Sequence, residues 1–159
     1  MFDPKSEVPS LELCQRLKEL GYPQEGGGWY WVRGEAEWGD EEELFYHPNG
    51  ATMWWIQESF EWVESQGCGC CCSLIRVKEY LKAPTCRELG EWLPKLVLNK
   101  YSLYYTQVKD GWIIDYANSS NPAGDKLNWE ADYTEPNARA KMIIWLRENG
   151  YIKFEEEDD

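Results

Sequence analysis

The residues with the sharpest intrinsic chemistry in this chain are six cysteines and a single histidine. Four of the thiols, Cys68, Cys70, Cys71 and Cys72, fall within five positions. Thiolates so crowded bind soft ions such as Zn²⁺ or Cu(I). Structural zinc, however, draws its sulfurs from two spaced pairs that can reach a tetrahedron, which this spacing resists. Near-neighbour cysteines also make poor disulfide geometry. The run therefore reads first as an exposed, oxidisable loop and second as a thiolate metal site, and no metal is assigned. Cys14 and Cys86 sit at expected helix-packing positions, where a thiol acts as a small apolar group. His47 flanks a turn at Pro48-Asn49-Gly50, and nothing local pairs it with a thiol nucleophile. Gly26-Gly27-Gly28 lacks the lysine and following Ser/Thr of a phosphate cradle. No catalytic residue and no cofactor is assigned, and the chain is expected not to be an enzyme.

Charge and aromatic content point to binding instead. The chain carries 29 acids, 16 bases and ten tryptophans in 159 residues, a formal charge of −13. Such a surface repels nucleic acid and anionic membrane and draws basic partners. Residues 155–159 are all acidic, leaving 24 acids against 16 bases on the body. A second concentration gathers Glu35, Glu37, Asp40, Glu41, Glu42 and Glu43. Its plain reading is a solvated, self-repelling surface. Its sharper reading is a mimic of nucleic-acid phosphate, with Trp38, Trp54 and Trp55 as anchors in a basic groove. Trp92, Trp112, Trp129 and Trp145 are assigned to the core. No apolar run approaches the roughly 20 residues of a membrane helix. The opening Met1-Phe2-Asp3-Pro4-Lys5 has no signal-peptide pattern, so cytoplasmic residence is expected.

The elements that must position these residues follow from local pattern. Ser10 caps a helix over 11–20 with Leu13, Leu17 and Leu20 on one face, stopped by Gly21 and Pro23. Residues 29–33 have strand composition, and the acidic stretch around Gly39-Asp40 reads as a loop. A hairpin is expected over 43–57, with its turn at Pro48-Asn49-Gly50 and a returning strand at 52–56. Residues 58–65 are ambiguous, with a short helix carrying Phe60, Trp62 and Val63 one reading, and 74–81 fit strand or helix. Thr85 and Glu88 form a capping box for a helix over 85–93. Residues 96–108 and 112–116 make a hairpin around Asp110-Gly111. A strand at 127–133 turns Trp129, Ala131 and Tyr133 one way. A last helix over 136–149 carries Ala138, Met142, Trp145 and Leu146 inward and Arg139, Lys141 and Arg147 outward. The sum is α+β, with antiparallel hairpins packed against about three helices. A single domain over 1–154 and a disordered acidic tail at 155–159 are expected.

Three segments, 11–31, 83–94 and 135–152, carry a resemblance. Leu-Glu-Leu-Cys-Gln-Arg-Leu-Lys-Glu-Leu-Gly running into Trp-Tyr-Trp-Val, then Ala-Pro-Thr-Cys-Arg-Glu-Leu-Gly-Glu-Trp-Leu-Pro, then Glu-Pro-Asn-Ala-Arg-Ala-Lys-Met-Ile-Ile-Trp-Leu-Arg-Glu-Asn-Gly resemble small accessory proteins of bacteriophages and prophages. The stretch 34–82 departs from that pattern. The resemblance implies a mobile-element accessory gene and transfers no catalytic residue. The function expected is inhibition of a host protein by direct binding, in the manner of an anti-CRISPR that mimics nucleic acid. Its partner would be a nucleic-acid-binding immune effector; direct nucleic-acid or membrane binding is not expected, and no oligomeric state is assigned. The alternative is a trap for a nucleotide immune signal, with Arg33, Arg76 or Arg87 on phosphate. Thiolate metal binding stands third.

Overall fold

The structure, a computed structural model, describes residues 3–36, 39–47, 62–64 and 74–154. The expected turn at 48–50, the strand at 52–56, the cysteine run 68–72 and the terminal acids lie outside the described residues. So do Glu37, Trp38, Trp54 and Trp55. The chain is α+β, and its contacts fall into two compact units, Pro23–Ala83 and Met1–Tyr22 with Pro84–Asp159.

In Pro23–Ala83, strands β1 (Gly28–Ala36), β2 (Gly39–His47), β3 (Trp62–Glu64) and β4 (Leu74–Ala83) form an antiparallel sheet of order β2-β1-β4-β3. One expectation is corrected here and two open readings are settled. The acidic stretch read as a loop is an edge strand, paired with β1 from Gly28↔His47 to Ala36↔Gly39. An edge position accommodates this: among the described residues one side of its ladder faces no strand, and charge there discourages further pairing. Residues 62–64, in a stretch whose sequence left a short helix open, are a strand paired with β4, and 74–81 is strand. Tyr30, Val32, Leu81 and Ala83 are fully buried, giving the apolar positions of β1 and β4 their driving force.

The glycine triplet has a structural use that its sequence does not announce. Lys82 is only 3% exposed, and its Nζ donates to the Gly27 carbonyl at 2.6 Å and lies 4.9 Å from the Tyr30 ring centroid. The Tyr30 hydroxyl donates to the Gly26 carbonyl at 2.6 Å, and the Lys82 amide donates to the Gln24 side chain at 2.8 Å. The loop's carbonyls thus solvate a buried ammonium, the inverse of a phosphate cradle. Gly26 holds φ at +87°, open to glycine without strain.

The other unit contains helix α1 (Leu11–Glu19), helix α2 (Cys86–Trp92), strands β5 (Leu96–Val97), β6 (Tyr101–Val108), β7 (Gly111–Asn118) and β8 (Lys126–Asp132), and helix α3 (Glu135–Glu148). The strands run as an antiparallel meander in chain order. Ser10, Thr85 and Thr134 cap the three helices, each side chain accepting from the amide three residues on, and Thr85 and Glu88 complete the capping box. Helix α3 lies against β7 and β8. Ile114 and Tyr116 from β7 join Leu17, Leu89, Leu93, Ala138, Met142, Ile143 and Leu146 in one core. Tyr116 satisfies its hydroxyl there by donating to the Pro94 carbonyl at 2.7 Å.

The β6–β7 hairpin is where the sequence places it, but its turn is Lys109-Asp110, and Gly111 opens β7 opposite Val108. Gly111 is required by close approach: a Cβ there would stand 2.3 Å from the Asp132 carbonyl oxygen. Arg139, expected to point outward, is instead half-buried. Its guanidinium donates to the Cys86 carbonyl at 2.8 Å and to Glu135 at 3.0 Å, and stacks 4.4 Å from the Tyr105 ring centroid. One arginine so ties the start of α2 to α3. Arg147 is also partly buried.

Candidate functional site

The acidic residues proposed from sequence are brought together by backbone pairing. Glu35 ends toward the tip of β1, while Asp40, Glu41, Glu42 and Glu43 run along β2, with registers Glu35↔Asp40, Gly34↔Glu41, Arg33↔Glu42 and Val32↔Glu43. Strand geometry thus sets the acids at about 3.3 Å per residue along one sheet edge. Arg33 meets Glu42 at 3.4 Å and Glu79 at 3.7 Å. The three side chains are a third to a half exposed, so these pairs contribute little stability. The arginine weighed as a phosphate contact is therefore engaged by two carboxylates of its own sheet. The aromatic partners assigned to this edge, Trp38, Trp54 and Trp55, lie outside the described residues, as does Glu37.

A second surface was missed by sequence reasoning. Trp129, assigned to the core, is 57% exposed, and Tyr133 is 84% exposed. The registers explain the correction. Tyr116 pairs with Asn128, Ile114 with Glu130 and Trp112 with Asp132, so the polar residues of β8 share the helix-covered face. Asp132 is held there by Lys141 at 2.7 Å and by the Asn137 side-chain amide at 3.1 Å. The alternate positions, Trp129 and Ala131, therefore face away from α3. On the same outer face Tyr104, Asp115 and Trp129 form a single rung across β6, β7 and β8. Tyr104 is 38% exposed, while Asp115 is 7% exposed and receives the Lys126 ammonium at 2.8 Å. The strict alternation in 127–133 was a usable signal. Its direction was not, because nothing in the sequence says that a helix would supply partners for the polar set.

The remaining tryptophans of this unit behave as assigned. Trp92 packs edge-on to Phe154 at 5.2 Å and tilts against Tyr22 at 5.8 Å; Trp145 stacks on Tyr151 at 5.4 Å; Trp112 packs against the core.

The two described thiols are placed for packing. Cys14 is fully buried, and burial, reinforced by Glu12, pushes it up to about 12. Burial likewise raises Cys86, to about 11. At neutral pH both are thiols with little nucleophilic or metal-binding capacity. Among the described residues no group of three or more His, Cys, Asp or Glu could hold a metal ion, and no helix is long and apolar enough to cross a membrane. His47 is the last residue of β2.

No protein-family model matches the chain, and no curated protein or solved structure matches it.

Proposed function

We propose that this chain is a non-catalytic accessory protein of a mobile genetic element that docks on a host protein in the cytoplasm and blocks it. Its partner is a nucleic-acid-binding immune effector, whose basic channel the acid of this chain meets in place of nucleic acid. The observation that carries the reading is an aromatic display on a strongly acidic chain: Trp129, Tyr133 and Tyr104 stand exposed in and beside one sheet face of a chain with formal charge −13. Large exposed aromatics are costly to leave in water and are favoured anchors of protein interfaces. The acid speeds encounter with a basic partner and rejects phosphate.

The test is capture of host proteins by the tagged full chain at low and high salt (~0.05 and ~0.5 M), beside a Trp129→Ala/Tyr133→Ala double variant. The expected result is a nucleic-acid-binding protein retained at low salt, released at high salt and by competing DNA or RNA, and lost with the variant. Capture that ignores salt, nucleic acid and the two aromatics would overturn the reading.

A further inference from the structure

We propose that the outer face of the β6–β8 sheet is an arginine-reading site, which takes the guanidinium of a basic partner between Tyr104 and Trp129, over Asp115. It rests on the docking reading above and specifies the chemistry that the partner must present.

Tyr104, Asp115 and Trp129 are consecutive neighbours on one rung. Adjacent strands lie about 4.8 Å apart, so the two aromatics are rooted about 10 Å apart with the carboxylate between them. A planar group held between two π faces needs about 7 Å, two van der Waals gaps of about 3.5 Å each. Closing from about 10 Å to about 7 Å requires each ring to lean inward by about 1.5 Å. The centre of the rung already attracts cations: the Lys126 ammonium sits 2.8 Å from Asp115 Oδ2. The Lys126 side chain is 38% exposed but that of Asp115 only 10%, so an arriving guanidinium must take the ammonium's place on a shielded carboxylate and supply paired donors there.

Three observations favour arginine over other occupants. The chain's own Arg139 uses the same combination, its guanidinium 4.4 Å from the Tyr105 ring centroid with Glu135 on its edge at 3.0 Å. A guanidinium is planar, weakly hydrated and able to grip a carboxylate with two parallel donors, whereas an ammonium offers one compact charge. The formal charge of −13 concentrates cations near the surface and disfavours phosphate or nucleotide in the same slot.

The experiment titrates the full chain with two short unstructured peptides of equal charge, one carrying only arginine and one only lysine. The ¹⁵N indole signal of Trp129, assigned with Trp129→Phe, reports on the site. The arginine peptide should bind about 2- to 5-fold more tightly than the lysine peptide, the range of an exposed cation–π contact, and should shift that signal. Tyr104→Ala and Trp129→Ala should each abolish the preference. Lys126→Met removes the internal competitor and should raise the arginine-to-lysine ratio by about 2-fold or more, a gain that misfolding cannot produce. Equal affinities, an unmoved Trp129 signal, no gain with Lys126→Met, or a neutral oligosaccharide shifting the signal where the peptides do not would each overturn the proposal. Loss of host-protein capture in the aromatic double variant without any arginine preference would sink this inference and leave the docking reading standing. Arginine preference with no captured partner would do the reverse.

Discussion

Leu98 and Asn99 hold φ at +54° and +52° at the centre of the turn in the three-residue link from β5 to β6, closed by the Lys100 amide on the Val97 carbonyl at 3.2 Å. Two consecutive left-handed residues define a type I′ turn, which prefers Asn and Gly. Leucine there costs about 1–2 kcal/mol, and Leu98 is 63% exposed, so little packing offsets the cost. Leu98→Gly is expected to stabilise the protein by about 1 kcal/mol in denaturant titration; a lower midpoint would show that Leu98 packs more than its exposure implies. Cys14 supplies a second residue-scale prediction. Its folded pKa, about 12, exceeds its ordinary 9.0, so its contribution is complete below pH 9 and declines as pH rises toward 12. Cys14→Ala should flatten the alkaline loss of stability by up to about 1.4 kcal/mol per pH unit between those limits. An unchanged slope would place the titration elsewhere, for instance at Tyr22 or Tyr116, both raised by burial.

At the scale of elements, glycine and arginine decide how the meander meets its helices. Gly111 faces backbone, which cannot step aside as a flexible side chain can. Gly111→Ala should therefore separate the start of β7 from the end of β8 and destabilise by about 2 kcal/mol or more, read as a fall in melting temperature. The opposite case is Gly90, where a Cβ would meet the Arg139 guanidinium tip at 2.7 Å, a group able to shift. Arg139→Ala removes the Cys86 carbonyl's donor, the Glu135 pair and the Tyr105 stack together. A loss of about 2 kcal/mol is expected, and Arg139→Lys should not restore it, because an ammonium cannot make all three contacts. The starts of α1 and α2 were legible because Ser10, and Thr85 with Glu88, act through amides three residues away. The fate of Arg139 was not, because two of its three partners, Cys86 and Tyr105, come from α2 and β6.

Over the whole molecule, the docking we propose assigns the partner's arrival to charge and its retention to the exposed aromatics. The acid of β2 and the aromatic rung of β6–β8 belong to different units, so they should be separable by experiment. Charge removal at Asp40–Glu43 is expected to slow association and weaken its salt dependence, whereas Trp129→Ala should speed dissociation; stopped-flow rates distinguish the two, and identical effects would contradict the division. Composition, local periodicity and capping chemistry by themselves determined the α+β class, the three α-helices among the described residues, the β6–β7 hairpin and the acidic character, because each depends on residues a few positions apart. Only tertiary structure decided that β2 pairs with β1, that Lys82 fills the glycine loop, and that β8 turns its indole to solvent. Each of those outcomes depends on which distant element covers a face, and a strand's alternation fixes two faces without saying which one will be buried.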